Sequence, residues 1–146
     1  MAMDAAAEVE ILLVEDNPDD AELTLRALRK GRVSERVRVA RDGAEALAYL
    51  FGDGTPALPR LPKVVLLDLK LPRVDGVEVL RRIKTDARTR RLPVVVLTSS
   101  GEQSDVTRCY DLGVNSYIVK PVDFESFMPA IEQAGLYWLL LNQAAH

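Results

Sequence analysis

The sequence holds almost none of the residues that build zinc sites, catalytic triads and disulfides: one His, one Cys and one Trp in 146 residues. Cys109 has no second cysteine to pair with, and the one His is His146. An internal disulfide, a Cys/His zinc site and a Ser/His/Asp triad are therefore excluded. Long apolar runs are missing too. Nothing approaches the ~20 residues of a membrane span. Met1 to Ala7 carries Asp4 where a secretory leader has Lys or Arg, so a soluble, cytoplasmic protein without membrane association is expected. A positive excess is likewise absent. With 22 Asp and Glu against 19 Lys and Arg, nucleic acid is not the expected main partner. What is present is ordinary globular composition, 48% apolar and 28% charged, far from that of a disordered chain. A domain of this length buries roughly 68–70% of the surface its unfolded chain exposes, enough for a core without staples.

Short runs rich in Val, Ile and Leu recur at strand length: Val9 to Val14, Val37 to Ala40, Lys63 to Leu67, Val94 to Leu97 and Ser116 to Val119. Three of them are apolar almost without alternation. That is the pattern of strands covered on both faces, as in a parallel sheet between helices. Helical spacing fills the intervals, at Asp19 to Lys30, Asp42 to Phe51, Val77 to Thr85, Ser104 to Leu112 and Glu125 to Leu141. The first of these sets Leu23, Ala27 and Lys30 in a stripe with Leu25 and Leu28 beside it, and Gly31 ends it; Asp42 caps the second and Gly113 ends the fourth. Pro129 falls inside the last pattern, so that helix should begin after a loose turn at Phe124 to Met128, or kink. Five strands alternating with five helices predict an α/β fold, a doubly wound five-stranded parallel sheet in a single domain. The expected organisation is a disordered tail over residues 1–8, the domain over 9–134, and a C-terminal apolar extension over 135–146. Gly52 to Pro62, rich in Gly and Pro, reads as a surface connection without a function.

In open parallel sheets, ligands bind outside the carboxyl ends of the strands, where connections diverge. The residues that end these strands are Glu15 and Asp16 on the first, Asp68 on the third, Thr98 on the fourth and Lys120 on the fifth. Each has a plain structural reading: Asp16-Asn17-Pro18 as a helix-capping turn, Thr98 as a partner for a backbone group, Lys120 as a solvated strand-end charge. All of them falling at the same end of inner strands is better explained by a pocket. Three carboxylates gathered there repel one another unless a cation sits among them, and hard oxygen ligands suit Mg²⁺. A carboxylate beside Mg²⁺ can attack a phosphoryl group in line to form an acyl phosphate, with Lys120 and the metal neutralising the equatorial oxygens and Thr98 donating a hydrogen bond. Asp68 ends the most buried strand and is the expected nucleophile.

These residues lie within Leu13-Val14-Glu15-Asp16-Asn17, then Leu67-Asp68-Leu69-Lys70-Leu71-Pro72-Arg73-Val74-Asp75-Gly76, then Val96-Leu97-Thr98-Ser99, and Tyr117-Ile118-Val119-Lys120-Pro121. With that ordered set the sequence resembles the receiver domain of two-component response regulators, a flavodoxin-like fold, over Glu10 to Ala134. The resemblance implies that Glu15, Asp16 and Asp68 bind Mg²⁺ together with the backbone carbonyl of Lys70. It implies that Asp68 accepts phosphate from a phosphohistidine of a sensor histidine kinase, and that Thr98 and Lys120 attend the phosphoryl oxygens. It also implies that Pro121 follows a cis peptide bond and that Tyr117 is an aromatic switch that turns inward as Thr98 moves. Asp68 needs a phosphohistidine and the chain supplies none, so the donor is expected on another protein. Lys70 departs from the smaller or uncharged residue common in receivers, and its ammonium is expected to affect the lifetime of the phosphorylated form.

Beyond the receiver part, residues 135–146 hold no room for a DNA-binding module. Leu136, Tyr137, Trp138 and Leu140 give the tail apolar groups around much of a helix, more than one contact with the sheet covers. Such a tail is similar to those of stand-alone receivers paired with bacterial phytochromes and hybrid kinases, whose aromatic tails pack in homodimers, and a homodimer is expected here. Two other readings stay open: a Mg²⁺-dependent phosphohydrolase with Asp68 as nucleophile, weakened because Lys70 stands where an acid/base Asp is needed, and a phosphate-independent scaffold, which the intact Asp16, Asp68, Thr98 and Lys120 set opposes.

Overall fold

The structure is a computed structural model, and it describes residues 9–31, 36–52, 60–99, 103–120 and 122–133. The chain alternates without exception among the described residues: β1 (Ile11–Val14), α1 (Pro18–Lys30), β2 (Val37–Ala40), α2 (Gly43–Phe51), β3 (Val64–Asp68), α3 (Gly76–Thr85), β4 (Val94–Thr98), α4 (Gln103–Asp111), β5 (Ser116–Val119) and α5 (Phe124–Gln133). All strand pairs are parallel, in the order β2-β1-β3-β4-β5. The expected doubly wound sheet is therefore present. The chain steps outward from β1 to β2 and then back past β1 to β3. Its direction across the sheet reverses between β1 and β3, which is where a crevice opens in this class of sheet.

The near-continuous apolar strands have the cause inferred from their sequence. Every residue of β1, β3 and β4 is buried, because alternate side chains face two separate cores. Ile11, Leu13, Leu66 and Leu97 pack toward α1 and α5 with Leu28 and Phe127. Leu12, Val14, Leu67 and Val96 pack toward α2, α3 and α4 with Leu47, Leu80 and Ile83.

Helix starts follow local chemistry. Asn17 caps α1, its Oδ1 accepting from the amides of Asp19 (2.8 Å) and Asp20 (3.0 Å), with Pro18 at the first helical position. Asp42 caps α2 by accepting from Glu45 N at 2.7 Å, and Glu45 Oε1 in turn accepts from Arg41 N at 3.1 Å. The α2 and α4 ends at Gly52 and Gly113 take positive φ, 79° and 95°, where glycine carries no side-chain clash.

Three local expectations change. The last helix begins at Phe124, ahead of Pro129, because Asp123 caps it: Oδ1 accepts from Ser126 N at 2.8 Å. The N–H that Pro129 lacks would have met the carbonyl of Glu125, an exposed residue in the first turn that water can serve. On α1, Leu23 is 40% exposed and the buried stripe runs instead through Ala21, Thr24, Ala27 and Leu28. Gly31 does end α1, but at φ −81° rather than in a left-handed turn. Most of the Gly52 to Pro62 connection, the N-terminal tail and the C-terminal extension with Leu136, Tyr137, Trp138 and Leu140 lie outside the described residues, as does Pro121. No described helix is long and apolar enough to cross a membrane.

One close approach fixes the loop after β3. A Cβ added to Gly76 would sit 2.3 Å from the carbonyl oxygen of Asp68 and 2.5 Å from Leu69 Cα, and one added to Gly43 would sit 2.1 Å from the carbonyl oxygen of Val74. The first residues of α2 and α3 thus press their backbones directly on the segment that follows Asp68. Gly76→Ala forces that backbone apart and is expected to cost about 1–3 kcal/mol, the usual range for overpacking; an unchanged urea midpoint would refute the contact.

A carboxylate and lysine cluster at the sheet edge

The parallel ladder delivers the polar residues to one edge. Asp68 and Thr98 are the last residues of β3 and β4, while Glu15 and Lys120 directly follow β1 and β5. The ladder continues past the strands, with Glu15 N donating to Ala40 O (2.9 Å), Leu69 N to Leu97 O (3.2 Å) and Lys120 N to Thr98 O (2.7 Å). Backbone hydrogen bonds, rather than flexible side chains, set the origin of each functional group.

Glu15, Asp16 and Asp68 each offer a carboxylate oxygen within 4.8 Å of the others. Glu15 and Asp68 are buried, at 1% and 4% exposure, while Asp16 is exposed and gives the cluster a solvent side. Asp68 Oδ1 accepts from the Lys70 amide at 3.1 Å, and its Oδ2 lies 3.0 Å from Lys120 Nζ. The same ammonium lies 2.7 Å from Glu15 Oε1 and 3.0 Å from Asp20 Oδ2. Glu15 Oε2 accepts from Asn17 N at 3.2 Å. The contact to Glu15 Oε1 is an ion pair without hydrogen-bond alignment, so this buried oxygen has no hydrogen-bond donor of its own.

The charges at this edge shift one another. Burial pushes the Glu15 carboxyl up from 4.5 to about 7, with the Lys120 ammonium opposing the rise and the Asp68 charge adding to it. Burial alone would lower the Lys120 ammonium, but the neighbouring carboxylates of Glu15, Asp20 and Asp68 outweigh it and hold the group above the ordinary lysine range. Lys120 is therefore a permanent cation at the bottom of an acidic pocket.

That donor set fits a divalent cation. Three hard oxygen groups converge, one carries a buried oxygen without a hydrogen bond, and the lone ammonium leaves the cluster short of positive charge. The carboxylates of Glu15, Asp16 and Asp68 are the groups that would hold it.

Of the residues singled out from the sequence, Glu15, Asp16, Asp68 and Lys120 come together in one cluster. The capping reading of Asn17-Pro18 is also true, so Asp16 belongs to the pocket while its neighbours start α1. Lys70 is exposed and reaches Asp68 through its amide. Thr98 is buried at the edge and lines a cleft with Leu69, Val96, Val106, Cys109 and Tyr117. Tyr117 is half-buried there, its ring 6.0 Å from that of Tyr110 in an edge-to-face arrangement. The sequence reading missed Asp20. The signal was its spacing: four residues after Asp16, in the first turn of a helix whose start faces the strand ends.

The fold and this cluster together define a receiver domain, and residues 11–132 match the response regulator receiver domain family. The chain belongs to that family. It is similar to the bacteriophytochrome response regulator AtBRR, with 54% identity, a TM-score of 0.79, and coverage of 92% of this chain and 98% of that one. It is also 46% identical over 137 residues to the probable methanogenesis regulatory protein FilR2 of Methanothrix harundinacea, covering 92% of this chain and 86% of that protein. The response regulator Rcp1 of Synechocystis is 37% identical over 129 residues, covering 88% of each. The Mn(2+)-bound form of Rcp1 superimposes with a TM-score of 0.71 over 90% of this chain and 94% of that one, at 36% identity.

The Glu15 shift gives a signed test without metal. A folded value of about 7 lies above the unfolded 4.5, so this group's contribution to stability is fully present below the lower value and is lost as pH rises toward the upper one. Metal-free wild type should therefore lose urea resistance relative to Glu15→Gln between those two pH values and run parallel to it above them. A difference that does not vary with pH would contradict the burial of this carboxyl.

Proposed function

We propose that this protein is a phosphorylation-controlled switch in a two-component pathway, with Asp68 as the acceptor. The observation that carries the reading is the position of Asp68: buried at the end of the central strand, one carboxylate oxygen held by the Lys70 amide and the other by Lys120. Held in this way, the carboxylate is oriented toward the pocket mouth that Asp16 leaves open.

In the reaction, a carboxylate oxygen of Asp68 attacks the phosphorus of a phosphohistidine. The phosphorus–nitrogen bond breaks, its electron pair stays on the imidazole, and the ring nitrogen recovers a proton from solvent. The product is an acyl phosphate on Asp68. Glu15, Asp16, Asp68 and the Lys70 carbonyl would hold Mg²⁺, which would supply positive charge to the phosphoryl oxygens; the Mn(2+)-bound form of Rcp1 supports a divalent ion in this fold. Lys120 neutralises a phosphoryl oxygen from below, and the Thr98 hydroxyl meets another. As Thr98 is drawn in, room changes in the cleft it shares with Tyr117, so the ring gains a second position.

The donor is a histidine of a sensor kinase. The likeness to AtBRR, a bacteriophytochrome response regulator, supports a phytochrome-type or hybrid kinase as partner, in the cytoplasm. The chain turns over no substrate besides its own acyl phosphate, and Lys70, standing where a phosphohydrolase would need an acid/base carboxylate, supports that reading. The tail residues Leu136, Tyr137, Trp138 and Leu140 support a homodimer built on residues 135–146.

Incubation with Mg²⁺ and acetyl phosphate should yield a hydroxylamine-labile phosphate on the wild type and none on Asp68→Asn. Equal labelling of the variant, or turnover of added phosphomonoesters in place of labelling, would overturn the assignment. Sedimentation velocity should show a dimer that Trp138→Ala converts to monomer; a variant that stays dimeric removes the tail from the interface.

A further inference from the structure

Asp20 takes a share of the lysine that the phosphoryl group needs. An ammonium has three N–H donors, and that of Lys120 faces three carboxylates: Glu15 at 2.7 Å, Asp20 at 3.0 Å and Asp68 at 3.0 Å. Only the contacts to Asp20 and Asp68 are aligned as hydrogen bonds, while the buried Glu15 Oε1 is left without one. Asp20 thus holds an N–H that the more deeply buried oxygen lacks. Its backbone is pinned on both sides. The amide donates to Asn17 Oδ1 at 3.0 Å, and the carbonyl accepts from Thr24 Oγ1 at 3.1 Å, Thr24 being 1% exposed. The carboxylate is therefore held over the pocket by the start of α1. It stands outside the three-carboxylate group that fits a cation.

We propose that Asp20 is a positioning residue that tethers the Lys120 ammonium to α1 and competes for it with the phosphoryl group on Asp68. The inference rests on Asp68 being the acceptor. A phosphoryl group arriving on Asp68 presents new anionic oxygens to an ammonium that already faces three carboxylates and donates hydrogen bonds to two of them, so its full pairing with Lys120 requires the Asp20 bond to loosen. Asp20, whose side chain is 34% exposed, can turn to water, whereas Glu15 cannot. The start of α1 thereby becomes sensitive to the state of Asp68 through a single N–H.

Beryllofluoride, which mimics a phosphoryl group on a carboxylate, serves as the probe at saturating Mg²⁺. Asp20→Asn should bind it about three- to tenfold more tightly than wild type, a range set by one partly exposed charge-assisted contact. Asp20→Glu, which restores the carboxylate, should return toward wild type. Asp19→Asn removes a neighbouring exposed charge with no contact to Lys120, and should leave the affinity unchanged. In metal-free protein, the Lys120 ammonium protons should exchange with solvent faster in Asp20→Asn than in wild type or Asp19→Asn. Equal tightening by Asp19→Asn would reduce the effect to general repulsion and overturn the tether, as would unchanged ammonium exchange in Asp20→Asn. Absence of beryllofluoride binding by wild type would overturn the acceptor reading, and the competition with it.

Discussion

The edge of this sheet depends on one buried cation. Lys120 carries the only ammonium that touches Glu15, Asp20 and Asp68 among the described ion pairs, and two of those carboxylates are almost fully removed from water. Removing an ionised carboxylate from water without a partner is costly, and two side by side are worse. The lysine offsets that cost for Asp68 and in part for Glu15, whose carboxyl still rises toward neutrality. The cluster is thus balanced short of neutral, and the shortfall is what makes it receptive to a cation.

The two cores hold this balance in place. Because β1, β3 and β4 are buried on both faces, their ends cannot slide or splay without exposing apolar side chains to water. The glycine contacts do the same for the loop. With Gly76 against the Asp68 carbonyl and Gly43 against Val74, the segment that supplies the Lys70 amide is clamped between two helix starts. Arg73, at φ 71°, sits in this clamped loop 3.4 Å from Asp42, the cap of α2. Strain of that kind persists only where the surroundings over-determine the backbone.

Much of this was legible in the sequence, for a physical reason. Unbroken runs such as Val64 to Leu67 and Val94 to Leu97 have no polar face to turn toward water, so burial on both sides and a parallel sheet follow from them. Glu15, Asp68, Thr98 and Lys120 were legible as a group because a parallel sheet sends every strand end to one edge. What escaped depends on distances that no periodicity encodes. Asp20 is one helical turn from Asp16, and whether it reaches Lys120 is decided by how α1 leans on the sheet. Leu23 continues an apolar spacing but lies at the margin of the helix face, and the buried Thr24 takes its place. Pro129 argued for a late helix start, yet Asp123, a strong cap, sets the start ahead of it.

The four carriers of the site come from four separate excursions of the chain, and residues 15, 68, 98 and 120 become neighbours only when β1, β3, β4 and β5 are side by side. The carboxylates that fit a cation meet where β1 lies beside β3, and the hydroxyl and ammonium join them only when β4 and β5 are added. An ion or phosphoryl group bound there consequently stabilises the assembled domain as one unit rather than a local segment. Occupancy of the site is in this sense a report on the assembly of the four strands that carry it, read at a single edge.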